Sequence, residues 1–109
     1  PVRYLRQEGS ICCSTSRDTQ WWRNVRANPD VTLRLGGEEA PYRAAIVTDP
    51  GPVRDYLLRL VSAYPQDAVY HQMTLDRDNV PHKDELARAV ESAVVVVATP
   101  AVSAAELGC

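Results

Sequence analysis

Residues Ala93 to Thr99 read AVVVVAT, an unbroken apolar run rich in β-branched side chains. Alternation would allow one face of a strand to meet water, and this run has none, so it reads as a strand buried on both faces. Whatever else the chain forms must therefore supply apolar cover on two sides.

The remaining periodicities say what that cover is. Val2 and Tyr4 alternate with Arg3 and Leu5 up to a Glu8-Gly9 turn, and Ser10 to Ser16 resumes the alternation with Ile11, Cys13 and Thr15 on one face. That pattern predicts a hairpin. A second hairpin is predicted where Val31, Leu33 and Leu35 lead to Gly36-Gly37 and Tyr42, Ala44 and Ile46 follow. Pro41 cannot donate to a ladder and is expected at a strand start or on an edge. Between the hairpins, Trp21, Trp22, Val25 and Arg26 fall at helical spacing, with Ser16 or Asp18 as a cap and Asn28-Pro29 as the stop. After Asp49-Pro50-Gly51-Pro52, the residues Val53, Tyr56, Leu57, Leu60, Val61 and Tyr64 make the clearest amphipathic helix, and Pro65 ends it. Gln66 to Met73 suits another turn or two. Lys83 to Ser92 places Leu86, Ala89, Val90 and Ala93 on one stripe. Antiparallel hairpins with helices inserted late predict an α+β domain on a small sheet or barrel. Its exposed edges call for an upstream strand or a second subunit.

At 109 residues the chain is one domain, expected over residues 1–100 with 101–109 as a tail. The first residue is Pro1 rather than Met, so the expectation is that an N-terminal strand belongs upstream. A net charge of −2 offers no long-range attraction to phosphate backbones and argues against nucleic-acid binding. No apolar stretch reaches the roughly 20 residues of a membrane span, and no charged leader is present, so a cytoplasmic location is expected. The three cysteines, Cys12, Cys13 and Cys109, fit neither a disulfide framework nor a zinc spacing and read as reduced. Cys12 and Cys13, adjacent on a strand, should face opposite ways. Glycine-rich phosphate loops, a nucleophile elbow and paired metal-ligand motifs are all missing, so no metal is expected. His71 and His82 each read as solvent-exposed or hydrogen-bonding.

Two segments carry chemistry. Ser14 to Asn24 runs from a strand ending in hydroxyls into a helix start, where unpaired N–H groups and Arg17 suit an anion. Plain capping with both tryptophans in the core is an equal reading. Tyr64 to Thr74 is polar and aromatic, and Tyr64 and Tyr70 could each present a phenolic proton to a carbonyl, quinone or nitro oxygen. Tyr64 equally completes the apolar stripe of its helix.

Together these segments resemble a known family. Ser16-Arg17 followed by Trp21-Trp22-Arg23-Asn24-Val25-Arg26-Ala27-Asn28-Pro29 is similar to the W-[YW]-x-N-L-x-A-N-P signature of the deazaflavin-dependent nitroreductase and quinone-reductase family. Tyr64-Pro65, Tyr70, Thr74, Arg77 and Pro81 resemble its Y-P…Y…T…R…P run, and Pro1-Val2-Arg3-Tyr4 its early strand. The resemblance implies a split antiparallel β-barrel with flanking helices, a homodimer, and an oxidoreductase that passes hydride from a reduced deazaflavin coenzyme (factor 420) to a small quinone, nitro or enone acceptor. It also implies that Thr15, Ser16 and Arg17 contact the coenzyme, that Trp21, Trp22 and Asn24 hold that loop, and that Tyr64 and Tyr70 line the acceptor pocket as the catalytic pair. The Ser-to-Trp loop, Arg17-Asp18-Thr19-Gln20, is shorter than in many members. The same fold takes FMN or haem, so an FMN-dependent reductase and a non-catalytic flavin- or haem-binding module stay open.

Overall fold

The structure is a computed structural model and describes residues 4–101. Two tight turns set its hairpins. Glu8 and Gly9 have φ of 51° and 83°, and Gly36 and Gly37 have 60° and 85°, the paired positive values that match the twist of antiparallel strands. The first turn joins β1 (Tyr4–Gln7) to β2 (Ser10–Ser16), the second β3 (Asp30–Leu35) to β4 (Glu38–Val47). The apolar run becomes β5 (Ala93–Pro100) and lies at the centre of one antiparallel sheet of order β1-β2-β5-β4-β3. It pairs with β2 from Ile11↔Ala98 to Ser16↔Ala93 and with β4 from Tyr42↔Pro100 to Val47↔Val95.

Helices cover both faces of that strand. α1 (Trp21–Ala27) lies on one side, where Trp22 packs with Ala44, Val94 and Val96. On the other, α2 (Pro50–Ala63), the 3₁₀ helix Pro65–His71 and α3 (Lys83–Ser92) gather Val53, Tyr56, Leu57, Ala89 and Val90 against Ala93 and Val95. Consecutive valines of β5 thus serve opposite cores, and Val94 is fully buried. Among the described residues no helix is long and apolar enough to cross a membrane.

The fold class is α+β, with an open sheet that is consistent with a split barrel. Two local expectations need correction. Pro41 is neither at a strand start nor on an edge strand: it lies inside β4, paired with Thr32. Its carbonyl accepts from Ala101 N at 3.0 Å, which puts the missing donor on the β5 side, past the end of that ladder, so no bond to β3 is lost. Neither Ser16 nor Asp18 caps α1, because the chain makes a further turn first and the helix starts after Gln20 without a side-chain cap. The early motif Pro1-Val2-Arg3 and the tail beyond Ala101 lie outside the described residues.

Candidate active site at the end of β2

Among the described residues β1 pairs with β2 from Gln7↔Ser10 to Tyr4↔Cys13, and β5 follows β2 to Ser16. On this stretch, adjacent residues face opposite cores and each is held by one of the two sequence segments. On the α1 side, Trp21 Nε1 donates to Thr15 Oγ1 at 3.2 Å, and Thr15 shares a 2.9 Å hydroxyl contact with Thr19. On the α2 side, Ser14 Oγ meets His71 Nε2 at 2.9 Å.

The turn after β2 is pinned at its backbone. Arg17 N donates to Ser92 O at 2.8 Å, at the junction of α3 and β5, and Arg17 O accepts from Trp22 Nε1 at 3.3 Å. Thr19 N and Thr19 Oγ1 both donate to Ser16 O, and Asp18 N reaches Ser16 Oγ. With the main chain fixed, the Arg17 side chain points outward and makes no ion pair among the described residues. Arg23 and Arg26 place their guanidinium groups 4.7 and 5.0 Å from the Trp22 ring centroid and cover an indole that is itself 5% exposed. Trp22 fills a core and Trp21 packs at its margin, while each indole N–H bonds to the strand end or loop, Trp21 to Thr15 and Trp22 to Arg17 O. Asn24 is exposed, its carbonyl accepting from Asn28 N at 2.9 Å.

The second segment starts at Tyr64, half-buried at the C-terminus of α2 and packed against the helix-side core. The 3₁₀ helix that follows carries Asp67, 5% exposed and the buried charged group among the described residues, and ends at His71. Tyr70 is 79% exposed, whereas Tyr64 is half-buried. Burial lowers the His71 pKa from its ordinary 6.5, and the Asp67 charge works against that shift. The Tyr56 phenol donates to Cys12 O at 3.2 Å on the same side of the sheet. Burial, reinforced by the neighbouring cysteines, pushes the Tyr56 pKa upward. Ser14 and Asp67 lie within the two segments marked in the sequence but were not named there as site residues, and no local spacing signals a contact between residues 57 positions apart.

Cys12 and Cys13 are free thiols on opposite faces, as alternation predicts. Desolvation raises both, Cys13 to about 11, so neither is a ready nucleophile. Among the described residues no three His, Cys, Asp or Glu side chains gather in a metal-binding group.

The end of β2 thus carries a hydroxyl-rich strand end and an outward arginine on a pinned loop, with the tryptophan helix held to one face of the sheet and the tyrosine- and histidine-bearing helix to the other. A family model for F420H(2)-dependent quinone reductase matches residues 1–82, which span both segments. The chain belongs to the F420H(2)-dependent quinone reductase family. Its fold is similar to a solved structure called "F420 Reductase", with a TM-score of 0.51 and 20% identity over 91% of this chain and 71% of the other. No curated protein matches. The family is one of oxidoreductases dependent on the deazaflavin coenzyme, with quinone-type small molecules as acceptors.

The residues present fit that coenzyme. Thr15 and Ser16 offer hydroxyls, and the exposed guanidinium of Arg17, without an ion pair among the described residues, offers a bidentate donor to an anionic oxygen. When bound, the group supplies the hydride chemistry, and the protein supplies orientation and proton handling.

Proposed function

We propose that this chain reduces a quinone-type acceptor with hydride from the reduced deazaflavin, at the end of β2. The observation that carries the reading is the joining of the two segments on adjacent residues, Trp21 through Thr15 and His71 through Ser14. Thr15, Ser16 and Arg17 bind the coenzyme, while Trp21 and Trp22 fix the loop and Asn24 steadies its helix. Tyr64 lines the acceptor pocket from the helix side, and Tyr70 reaches the acceptor from its exposed position. Each can orient the acceptor oxygen and donate a proton, and a fixed approach is what such a site contributes to hydride transfer.

The same reading includes a homodimer in the cytoplasm and a domain over residues 1–100 followed by a tail. Supporting the dimer, β1 and β3 leave the open sheet with two edges among the described residues, and a second subunit would cover them. The test is a titration of the purified protein with deazaflavin, FMN and haem, followed by visible absorption. Saturable binding of the deazaflavin and its oxidation on adding menadione is the expected result. Binding of FMN or haem in its place would overturn the reading.

A further inference from the structure

Asp67 and His71 share the 3₁₀ helix, and His71 meets Ser14 on the helix-side face of the sheet. Ser14 and His71 are 57 positions apart in the sequence, so their bond ties the acceptor segment directly to the coenzyme strand. Asp67 sits four residues before His71 on the same 3₁₀ helix, buried, with its charge acting on the imidazole. Ser14 is half-buried and its hydroxyl meets His71 Nε2 at 2.9 Å, where it donates or accepts according to the ring's protonation.

That arrangement makes the direction of one O–H bond depend on the imidazole. With Nε2 unprotonated, the ring accepts from Ser14; with Nε2 protonated, the ring donates to Ser14 Oγ and the Ser14 proton is released for another oxygen. We propose that Asp67 and His71 act as a dyad that delivers a proton through the Ser14 hydroxyl to the oxygen of the reduced acceptor. In that step the proton leaves His71 Nε2 for Ser14 Oγ as the Ser14 proton passes to the acceptor oxygen, and water restores the imidazolium. The electron pair on the acceptor is that of the hydride the coenzyme supplies, so charge and atoms balance. The proposal rests on the quinone reductase reading above and gives that site a proton source besides its tyrosines. Asp67 is the charge that acts on His71 among the described residues, and Arg59 of α2 acts on Tyr56 and Cys12 on the same side of the sheet.

Two measurements test it. Nitrogen NMR of the protein without coenzyme reads the His71 tautomer and titration, with H71Q separating its signals from those of His82. The expected result is a His71 titration below 6.5 that moves lower still in D67N and a tautomer balance that changes in S14A. A His71 signal indifferent to both substitutions overturns the dyad, and S14A keeps this test open if D67N fails to fold. The pH profile of kcat with reduced deazaflavin and menadione then reads the proton. Wild type should slow by about tenfold per pH unit above the His71 pKa, and H71Q should lose that limb with KM for menadione changed less than about twofold. An unaltered profile in both H71Q and S14A overturns the proton role. Wild type that neither binds the deazaflavin nor turns over overturns the reductase reading and the proton role with it, while the NMR result still decides whether the dyad exists.

Discussion

Ser14 Oγ and His71 Nε2 lie 2.9 Å apart and join the middle of the sheet to the end of the 3₁₀ helix. The bond forms on the half-buried helix side, where burial disfavours a charged ring. Because the folded pKa is depressed, the unfolded chain binds the proton more readily as pH falls below 6.5. Stability contributed by neutral His71 is therefore fully present above 6.5 and is lost as pH falls through that value toward the folded pKa. Urea midpoints at pH 7 and pH 5 should show a drop in wild type that is smaller in H71Q, with the slope against urea unchanged.

Tyr56 is essentially fully buried, and its phenol donates to Cys12 O. Y56F keeps the ring and removes the donor, so it should cost about 1 kcal/mol in urea denaturation. A loss below the error of the measurement would show that Cys12 O finds another partner.

Trp22 and Trp21 differ in what they support. W22A should cost about 3–5 kcal/mol, because it empties the core beside Ala44, Val94 and Val96 and also frees Arg17 O. W21F keeps most of the apolar contact and loses the bond to Thr15, so deazaflavin affinity should fall more than stability does. Thermal melts and coenzyme titrations on both variants check the contrast.

Replacing Tyr64 and Tyr70 together by Phe should lower turnover far more than coenzyme affinity. For Y70F alone, an exposed position predicts a stability change within about 0.5 kcal/mol. Unchanged turnover in the double variant would remove both phenols from the chemistry.

Cys12 and Cys13, both raised by desolvation, should resist iodoacetamide at pH 8 in the folded protein and react on unfolding in urea. Peptide mass spectrometry after a timed pulse of reagent reads the two sites.

Much of the fold was legible in the chain because its signals are local. The Glu8-Gly9 and Gly36-Gly37 turns have the positive φ that glycine makes cheap, and the α2 stripe from Val53 to Val61 is buried as its period predicts. Ser16 as a helix cap was misread, since its oxygens were taken up by the turn that precedes α1. Pro41 was misread because whether a missing N–H matters depends on where the neighbouring strand ends.

By itself the sequence determined the elements, the two-sided burial of Ala93 to Thr99 and the family, each carried by spacing between near neighbours. Only the tertiary structure decided which distant polar groups meet. His71 read only as exposed or hydrogen-bonding, with no partner named, until the sheet set Ser14 opposite it, and Asp67 acquired a role only by being buried four residues before it on the same 3₁₀ helix. A hydrogen bond between residues 57 apart leaves no local pattern; it exists because two packed layers bring one hydroxyl and one imidazole within 2.9 Å.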